Sequence, residues 1–525
     1  MRRCQIADTT CEDGHIMRKA LRFLVHRIVI VVFLLLVQIL ALFGIIWYFN
    51  NYFVYFYGLF SLLSIACILI IVNDDSLKPG FKLAWIIPIS IIPIFGNLLY
   101  LLFGNELHSR KLHRIHATEK EMAKAEPSNG VFAEIERSDR QTANQSRLIM
   151  DCAGFQPYQN TSAEYLPSGE AKFERLKEEL QKAKRFIFIE YFIISEGFVW
   201  DSILSILSEK ARQGLDVRIL YDDLGSAFTL PHGFKKNLSA MGIKCNVFNP
   251  FVPILSSTFN HRDHRKIVVI DGHTAFTGGI NLADEYINKR EVHGHWKDAS
   301  ILIKGEAVHS FTLMFLAVWN FVTGEMETPG AFLPEPGEER PRESGFVQPF
   351  SDSYISGDSI SEAIYLNLIN KAGRYIYIVT PYLIIDTELI TALSIAAKSG
   401  VDVRIVTPHI GNNWYVHSVT RSNYEPLIKS GVRIFEYTPG FIHAKLFVVD
   451  DQLAVIGTVN LDYRSLYMQL ECGVWLYKTD CVRDIYEDYL ETLSKSQEIS
   501  LSDCQMIPWH RKLGRMILRV FAPMM

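Results

Sequence analysis

The sequence lacks paired cysteines. Its eight cysteines are scattered, and none forms a CxxC pair or the Cys/His spacing of a zinc site. They lie at positions 4, 11, 67, 152, 245, 472, 481 and 504. A structural zinc and a disulfide framework are therefore not expected, and thiols distributed in this way are typical of a reducing compartment.

The sequence also lacks an excess of charge of either sign. Its 53 Lys and Arg residues face 57 Asp and Glu residues, for a formal net charge of −4. A general nucleic-acid-binding protein carries a basic excess, so nucleic acid is not expected as a partner. Apolar residues make up 49 % and charged residues 21 %, a balance that excludes wholesale disorder. A length of 525 residues suggests three or four structural units.

Charge is absent from two long runs near the beginning of the chain. Residues 28–49 carry no charge over 22 positions, and residues 52–72 form a second such run. Each is long enough to cross a hydrocarbon core of about 30 Å, so both are predicted to be transmembrane helices. A third apolar run, 83–103, contains two prolines, a glycine and an asparagine that break a straight helix. We expect it to be re-entrant or interfacial.

Positive charges flank this apolar region on both sides. The first 27 residues hold six Lys/Arg against three acids, and five basic residues follow the third run between positions 110 and 124. By the positive-inside rule both flanks are cytoplasmic. We expect a multi-pass protein of the cell membrane with a membrane region over 1–107, a linker over 108–164, and the remainder in the cytoplasm. Three full spans are the alternative.

The remainder of the chain contains an internal repeat. KAKRFIFIEYF, GLDVRIL, GIKCNVFNP and HRKIVVIDG recur in the same order as KAGRYIYIVTPYL, GVDVRIV, GVRIFEYTP and HAKLFVVDD. The first set begins at residues 182, 214, 242 and 264, and the second at 371, 400, 431 and 443. Four matches in one order indicate a duplication.

Each repeat is predicted to fold as an α/β sandwich. The short β-branched and aromatic runs are continuous, which is typical of strands covered on both faces. A helix is predicted over 201–213 with Asp201 as N-cap, and its counterpart begins near Asp386 and ends at Gly400. The proline-rich stretch 327–345 is predicted to be a loop between the two halves. We therefore assign one domain to 165–345 and a second to 346–525.

A chemical motif occurs once in each half. It consists of His-x-Lys-x4-Asp followed about ten residues later by Gly-x-x-Asn. The residues are His264, Lys266, Asp271 and Asn281 in the first half and His443, Lys445, Asp450 and Asn460 in the second. The histidines, lysines and aspartates are predicted to be catalytic, and the asparagines to bind phosphate. Residues i and i+2 of a strand share a face, so each histidine is expected to point the same way as its lysine. Two such motifs at equivalent repeat positions are not a chance match.

This set of side chains suits attack on a phosphodiester. One neutral imidazole attacks phosphorus while the other, protonated, donates to the leaving oxygen. Two ammonium groups and the amides of Asn281 and Asn460 stabilise the phosphoryl oxygens, so no metal or other cofactor is required.

Each histidine needs a partner that orients its second nitrogen. Asp298 and Glu471 enter apolar strands at matching places after the two motifs. We predict that Asp298 orients His264 and that Glu471 orients His443. The alternative is that both are surface acids at strand ends.

The duplicated motif resembles that of the phospholipase D superfamily, in which it is called HKD. With the apolar region, nearly the whole chain resembles the bacterial-type cardiolipin synthases of that superfamily. The resemblance rests on the segments KLAWIIPISIIPIFGNLLYLLFG, DHRKIVVIDGHTAFTGGINLADEY and HAKLFVVDDQLAVIGTVNLDYRS. Asp263 departs from the family pattern, which has Asn or a similar polar residue before the first histidine.

The resemblance implies two phospholipase D-like α/β sandwich domains packed as a pseudo-dimer behind a transmembrane region. It implies that two phosphatidylglycerol molecules are joined into cardiolipin with release of glycerol, through a phosphohistidine intermediate. By analogy His264 is the nucleophile and His443 the acid. The expected partners are phosphatidylglycerol, anionic lipids and the membrane. A membrane-bound hydrolase that yields phosphatidic acid is the main alternative, followed by a nuclease and an inactive lipid-binding scaffold.

The segment WHRKLGRMILRVF, residues 509–521, is predicted to be an amphipathic helix with basic residues mostly off its apolar face. Such a helix lies on an anionic bilayer surface or closes the domain by packing on it. The sequence leaves both open.

Overall fold

The computed structural model describes residues 53–104, 109–250, 260–335, 343–352 and 359–524, together with Pro341 and isolated positions between 36 and 48. The chain divides into two compact units. One is built from residues up to 75, 85–105 and 250–259, and the other from 76–84, 106–249 and 260–525. The predicted span 28–49 lies outside the described residues except at isolated positions.

Three apolar helices open the described chain. They are α1 Phe53–Asn73, α2 Pro79–Ile91 and α3 Pro93–Phe103. The third apolar run is broken as predicted, because the backbone turns at Ile92 and α3 restarts with a proline at its first position. Asn97 of α3 is buried and donates hydrogen bonds to the Phe60 carbonyl at 3.1 Å and the Ser64 hydroxyl at 2.7 Å. Within the described part of the chain, no helix combines the length and apolarity that crossing a membrane requires.

The segment 108–164, which we expected to be a linker, is ordered as three helices and the start of a strand. The helices are α4 Ser109–Ala125, α5 Val131–Ser138 and α6 Arg140–Ala153. Ile115, Ile135 and Ile149 are fully buried in the main hydrophobic core. The linker assignment was wrong because each of these helices contributes apolar residues to the main core, although polar residues predominate along the segment.

A seven-stranded mixed sheet forms the first half. Its elements are β1 Thr161–Leu166, α7 Gly169–Lys182, β2 Phe186–Tyr191, α8 Phe198–Arg212, β3 Asp216–Asp222, α9 Phe234–Ala240, β4 Lys244–Phe248, β5 Arg262–Asp263, β6 Lys266–Ile270, β7 Thr274–Gly278, β8 His295–Lys297, β9 Ser300–Gly305 and α10 Val308–Thr323. The strand order is β1-β9-β7-β6-β2-β3-β4, in which β2, β3 and β4 are parallel and the others antiparallel. The two short strands β5 and β8 are not part of this sheet.

The second half repeats this topology. Its elements are β10 Phe346–Asp352, α11 Ile360–Lys371, β11 Tyr375–Val379, α12 Thr387–Lys398, β12 Asp402–Pro408, α13 Trp414–Ser422, α14 Tyr424–Lys429, β13 Arg433–Tyr437, β14 Gly440–Ile442, β15 Leu446–Val449, β16 Leu453–Gly457, α15 Tyr463–Tyr467, β17 Gln469–Tyr477, α16 Cys481–Ser494, β18 Ser496–Ile499, α17 Leu501–Gln505 and α18 Trp509–Val520. The strand order β10-β17-β16-β15-β11-β12-β13 matches that of the first sheet, and β18 extends it.

Both faces of the first sheet are covered, as its continuous apolar strands predicted. Along β2, Phe186 and Phe188 belong to the main core, whereas Ile187 and Ile189 belong to a second core under α7 and α8. This alternation follows from the two-residue period of a strand. The main core contains residues of both halves, so the two sheets share one hydrophobic interior.

Helix α8, which follows β2, and its counterpart α12, which follows β11, begin in different ways. Helix α12 begins next to Asp386, as predicted, and Asp386 caps it by accepting a hydrogen bond from the Leu389 amide at 3.0 Å. In the first half the N-cap is Gly197, and Asp201 lies inside the first turn. The Asp201 prediction was wrong because Asp284, distant in sequence, accepts from the Phe198 and Val199 amides that a capping side chain would satisfy.

Candidate active site

Two short strand pairs place the histidines, and each pair joins one half of the chain to the other. Strand β5, which precedes His264, pairs in parallel with Gln469–Leu470 at the beginning of β17. The His264 amide then donates to the Leu470 carbonyl at 2.9 Å. Strand β14, which precedes His443, pairs in parallel with β8, and the His443 amide donates to the Lys297 carbonyl at 2.7 Å. Each histidine is therefore held by the strand that carries the other half's carboxylate.

The carboxylates contact the histidines across the two halves. Nδ1 of His264 lies 2.9 Å from Oε1 of Glu471, and Nδ1 of His443 lies 2.7 Å from Oδ2 of Asp298. The two acids that we predicted do contact the histidines, but the predicted pairing within each half was wrong. The physical reason is the register of the short strands. The next residue after Lys297 is Asp298, and the next after Leu470 is Glu471, so each acid follows the residue that accepts from the opposite histidine's amide.

The lysines lie beside the histidines, as the i, i+2 spacing predicted. Nζ of Lys266 donates to the His264 carbonyl at 2.5 Å, and Nζ of Lys445 donates to the His443 carbonyl. Nζ of Lys445 also lies 2.8 Å from Nδ1 of His443. All four side chains are buried. Burial lowers the pKa of Lys445 to about 7 and that of Lys266 to about 8.

Both histidines are neutral at pH 7 in this arrangement. Burial, together with the positive charges of Lys266 and Lys445, lowers the pKa of His264 well below its usual range. Burial and Lys445 lower the pKa of His443 to about 3. A neutral imidazole keeps a lone pair, and a carboxyl group that accepts a hydrogen bond from Nδ1 leaves that lone pair on Nε2. The site therefore presents two nucleophilic or basic nitrogens beside two lysine side chains.

The two carboxyl groups differ in charge. Burial alone would raise the pKa of Asp298, but Lys445 and His443 offset it and lower that pKa below its usual value. Burial dominates at Glu471 and raises its pKa to about 8, although Lys266 and the hydroxyl of Thr458 act in the opposite direction. Asp298 is thus ionised at neutral pH, whereas Glu471 carries a proton in most molecules.

The residues next to these acids also differ between the two halves. The Thr458 hydroxyl donates to Oε2 of Glu471. The equivalent position in the first half is Gly279, where a Cβ atom would lie 2.1 Å from Oδ1 of Asp298. A side chain there would displace the carboxylate. The space above Gly279 is therefore filled by Asp298.

The two motif asparagines are buried but differ in their hydrogen bonds. Oδ1 of Asn281 accepts from the Ile193 amide at 3.2 Å, and its Nδ2 donates to the Tyr286 hydroxyl at 2.6 Å. Oδ1 of Asn460 has no hydrogen-bond partner among the described residues. A phosphate-binding role for the two amides stays a prediction.

The motif aspartates lie at the far ends of their strands. Five residues of extended chain separate Lys266 from Asp271, which corresponds to about 16 Å. Asp271 accepts from the backbone amides of Lys184, Arg185 and Phe186 at 2.7, 2.8 and 2.9 Å. Asp450 accepts in the same way from the amides of Gly373, Arg374 and Tyr375 at 2.7, 2.9 and 2.8 Å. The structure does not bring these two aspartates to the histidines, and both anchor the start of a neighbouring strand.

Asp263, the departure from the family pattern, belongs to a buried ion network. The guanidinium of Arg265 is fully buried and lies 2.7 Å from Glu119, 3.1 Å from Glu190 and 3.6 Å from Asp263. The charge of Asp263 thus faces Arg265 rather than the His264 ring. Glu119 and Glu190 were not predicted, since neither lies in a repeated motif.

Aromatic rings surround the histidines. The ring centroids of Phe192 and His264 are 5.0 Å apart, and those of Tyr286, Trp296 and Phe441 lie 5.6–5.7 Å from the centroid of the His443 ring. These rings were not predicted from the sequence. A signal was present, because Phe441 precedes His443 by two residues, as Trp296 precedes Asp298.

One group of acids in the described residues has the spacing of a cation site. It comprises Glu362, Asp386 and Glu388. The ammonium of Lys78 lies 2.8, 3.7 and 3.8 Å from these carboxylates. A cation of the protein itself, the Lys78 ammonium, thus lies beside all three carboxyl groups.

Comparison with known proteins agrees with this geometry. The model of the cardiolipin synthase, phospholipase D-like domain matches residues 176–319 and 365–493, and the phospholipase D-nuclease N-terminal model matches 62–105. A cardiolipin synthase of Geobacillus kaustophilus is 34 % identical over 476 residues, which cover 89 % of this chain and 94 % of that protein. An uncharacterized protein of Streptococcus mutans is 40 % identical over 465 residues, 88 % of this chain and all of that protein.

The fold also matches a solved structure. The phosphatidylserine synthase of Haemophilus influenzae superposes with a TM-score of 0.57 at 16 % identity, over 73 % of this chain and 98 % of that chain. At this identity the likeness concerns the fold alone. The family model and the extended identity to the Geobacillus protein carry the assignment: the chain belongs to the cardiolipin synthase family of phospholipase D-like proteins.

Proposed function

We propose that this protein is a cardiolipin synthase that transfers a phosphatidyl group from one phosphatidylglycerol to another and releases glycerol. The observation that carries the proposal is the pair of neutral histidines, each in contact with a carboxyl group from the opposite half and beside a buried lysine. Such a pair supplies one nucleophile and one proton carrier on a single phosphodiester.

In the first step, Nε2 of His264 attacks the phosphorus of the donor phosphatidylglycerol. The bond between phosphorus and the oxygen of the headgroup glycerol breaks, and His443 donates a proton to that oxygen. The bound phosphodiester anion favours the protonated form of His443 before this step. The phosphatidyl group is then attached to His264, and glycerol leaves.

In the second step, His443 is neutral and acts as a base. It takes the proton of a headgroup hydroxyl of a second phosphatidylglycerol, whose oxygen attacks the phosphorus. The bond between phosphorus and Nε2 of His264 breaks, which releases cardiolipin and restores both side chains. The ammonium groups of Lys266 and Lys445 stabilise the charge on the phosphoryl oxygens in both steps, and Asn281 and Asn460 are proposed to contribute their amides.

The charges of the two carboxyl groups support this division of roles. An ionised Asp298 stabilises a cationic imidazole, so His443 is better suited to carry a proton. The mainly neutral Glu471 does not stabilise a cation to the same extent, which leaves His264 unprotonated as the nucleophile. Transfer also requires that water be excluded in favour of the lipid hydroxyl. The aromatic side chains around both histidines supply an apolar surface for this purpose.

Expression in a bacterial host that lacks cardiolipin tests the proposal. The wild-type chain is expected to produce cardiolipin, and the His264→Ala and His443→Ala variants, expressed to the same level, are expected to produce none. Phosphatidic acid in place of cardiolipin would identify the protein as a hydrolase instead. Unchanged lipids with a correctly folded wild-type chain would contradict both activities.

We also propose that the protein is a multi-pass protein of the cell membrane with its catalytic halves in the cytoplasm. The support is the uncharged runs 28–49 and 52–72 and the basic residues on both flanks. The exposed Ser128 provides a test. In a Ser128→Cys variant, a membrane-impermeant thiol reagent should label the new cysteine only after the cells are opened. Labelling in intact cells would favour three full spans.

A further inference from the structure

Helix α18 is attached to the protein by its less apolar side. Leu518 packs in a cluster with Val416 and Val419 of α13, and Gly514 and Arg515 are partly covered. The larger apolar surface of α18 consists of Trp509, Leu513, Met516 and Ile517, and we call it the outer face. Its side chains are 76, 48, 67 and 55 % exposed. At 100° per residue, Leu518 lies about 180° around the helix from Trp509, so the outer face points away from the domain.

This arrangement is the reverse of an ordinary closing helix. Such a helix buries its apolar stripe and exposes its polar side. The sequence is compatible with a helix that closes the domain and with one that lies on a bilayer. In the structure the outer face does not pack on the described residues. Four exposed large apolar side chains on one helix mark an interaction surface.

The charges on α18 indicate what kind of partner covers the outer face. At 100° per residue, Lys512 and Arg519 border the outer face on one side, and Arg511 and Arg515 lie farther around the helix. Residues 504–525 contain no acid. A second copy of this helix would bring a further four cations against these, which is repulsive. A basic amphipathic helix with tryptophan at one end fits the interface of an anionic bilayer, where the indole lies at the level of the headgroups.

We propose that the outer face of α18 docks on an anionic phospholipid surface and so holds the catalytic halves against the bilayer that contains the substrate. The choice of lipid rests on the proposed function.

A chain of contacts links this surface to the site. Helix α13, which supports α18, begins two residues after Asn412, and Asn412 donates to the Tyr382 hydroxyl at 2.7 Å. Tyr382 packs against the cluster that contains Trp296 and Phe441, the rings beside His443.

The first test uses photo-crosslinking in the full-length protein. The photoreactive residue benzoylphenylalanine is placed at Met516 on the outer face or, as a matched control, at the exposed Arg511 on another side of the same helix. The protein is reconstituted in vesicles of phosphatidylglycerol. We expect several-fold more lipid adduct from position 516 than from position 511. A dimer of the chain or no adduct at position 516 would overturn the proposal.

A second test uses substitutions that keep the catalytic residues intact. Ile517→Glu is compared with Ile395→Glu, since Ile395 is equally exposed, at 57 %, but lies on α12. We expect Ile517→Glu to raise the KM for vesicle phosphatidylglycerol several-fold with kcat unchanged, and to leave activity on dispersed short-chain phosphatidylglycerol unchanged. Ile395→Glu should behave like wild type on both substrates. Equal effects of the two substitutions would contradict docking through α18.

The cationic contribution can be measured separately with the same crosslinker at position 516. Lys512→Gln should lower the lipid adduct in phosphatidylglycerol vesicles several-fold and leave the adduct in phosphatidylcholine vesicles unchanged. A loss on both vesicle types would contradict the electrostatic part of the proposal. These readouts are independent of the reaction. Lipid adducts without cardiolipin formation would refute only the proposed function, and cardiolipin formation without adducts at position 516 would refute only the docking surface.

Discussion

The two halves of the site share a motif but hold their carboxyl groups in different ways. The first half supplies the shorter Asp298, which fills the space above Gly279 and lies next to the Lys445 charge. The second half supplies the longer Glu471, which accepts from Thr458 and whose pKa burial raises to about 8. The two halves thus share a fold but differ in chemistry, because the acid and the residue beside it are different in each half. Because the acids cross over, a substitution in one half acts on the histidine of the other.

The largest expected effect comes from the histidines themselves. His264→Ala and His443→Ala should each lower the rate of cardiolipin synthesis by about 10⁴-fold or more, and the double variant should be no worse than either single one, because both act in one reaction. The measurement is turnover of labelled phosphatidylglycerol by purified protein. Thermal unfolding of each variant serves as the control for folding. Near-wild-type turnover of either variant would refute the two-histidine mechanism.

Removal of the charge of each acid tests the comparison directly. Asp298→Asn should lower kcat about 10³-fold, since an ionised carboxylate is lost from beside His443. Glu471→Gln should lower it only about 10-fold, because an amide resembles the protonated carboxyl group that predominates below pH 8. Steady-state kinetics at pH 7 distinguish the two. Equal losses would show that the acids have equivalent charges.

The glycine beside Asp298 and the threonine beside Glu471 give a smaller contrast. Gly279→Ala places a Cβ atom where Oδ1 of Asp298 lies and should lower kcat about 10²-fold by displacing the carboxylate. Thr458→Val removes one hydrogen bond to Glu471 and keeps the volume, so a loss of about 10-fold or less is expected. A larger loss of kcat in Thr458→Val than in Gly279→Ala would show that Glu471 contributes more to catalysis than Asp298, which contradicts the proposal.

The lysines predict a loss of activity at alkaline pH. The protonated forms are active, so kcat/KM should fall as the pH rises through the pKa values of Lys445, about 7, and Lys266, about 8. A Lys445→Arg variant, whose guanidinium stays charged, should move the fall in its residual activity toward pH 8. The same change at Lys266 should leave the fall near pH 7. A flat profile between pH 6 and 9 would contradict the assignment.

The two motif aspartates should affect stability rather than chemistry. Asp271→Ala removes three hydrogen bonds from a buried position and should cost about 3 kcal/mol of unfolding free energy, while the more exposed Asp450→Ala should cost about 2 kcal/mol. At a temperature at which both variants are folded, kcat should remain within about two-fold of wild type. A large loss of kcat without a change in thermal stability would return them to the catalytic site.

Much of the site could be predicted from the repeat. Because strand periodicity fixes which side chains share a face, the spacing in His264-x-Lys266 and His443-x-Lys445 was enough to place each lysine beside its histidine. The spacing also indicated where Asp271 lies, since five positions of extended chain reach from Lys266 to the other end of the strand. Its place in the repeated motif nevertheless led us to predict it as a catalytic residue.

The exchange of carboxyl groups could not be predicted. It depends on β5 and β14, strands of two and three residues that carry no periodic signal and whose partners are distant in sequence. The order of acids along the chain suggested pairing within each half, and only the parallel register reverses it. The helices of 109–153 were not predicted for a related reason. Their apolar residues are few, and only the folded structure shows that these residues pack in the main core.

The division of roles between the two halves can be tested most directly by trapping the covalent intermediate. The protein is mixed with phosphatidylglycerol carrying labelled phosphorus, quenched without acid and digested, and the phosphorylated peptide is identified. The mechanism predicts label on the peptide that contains His264 and none on the peptide that contains His443. Label on the His443 peptide, with none on that of His264, would contradict the account.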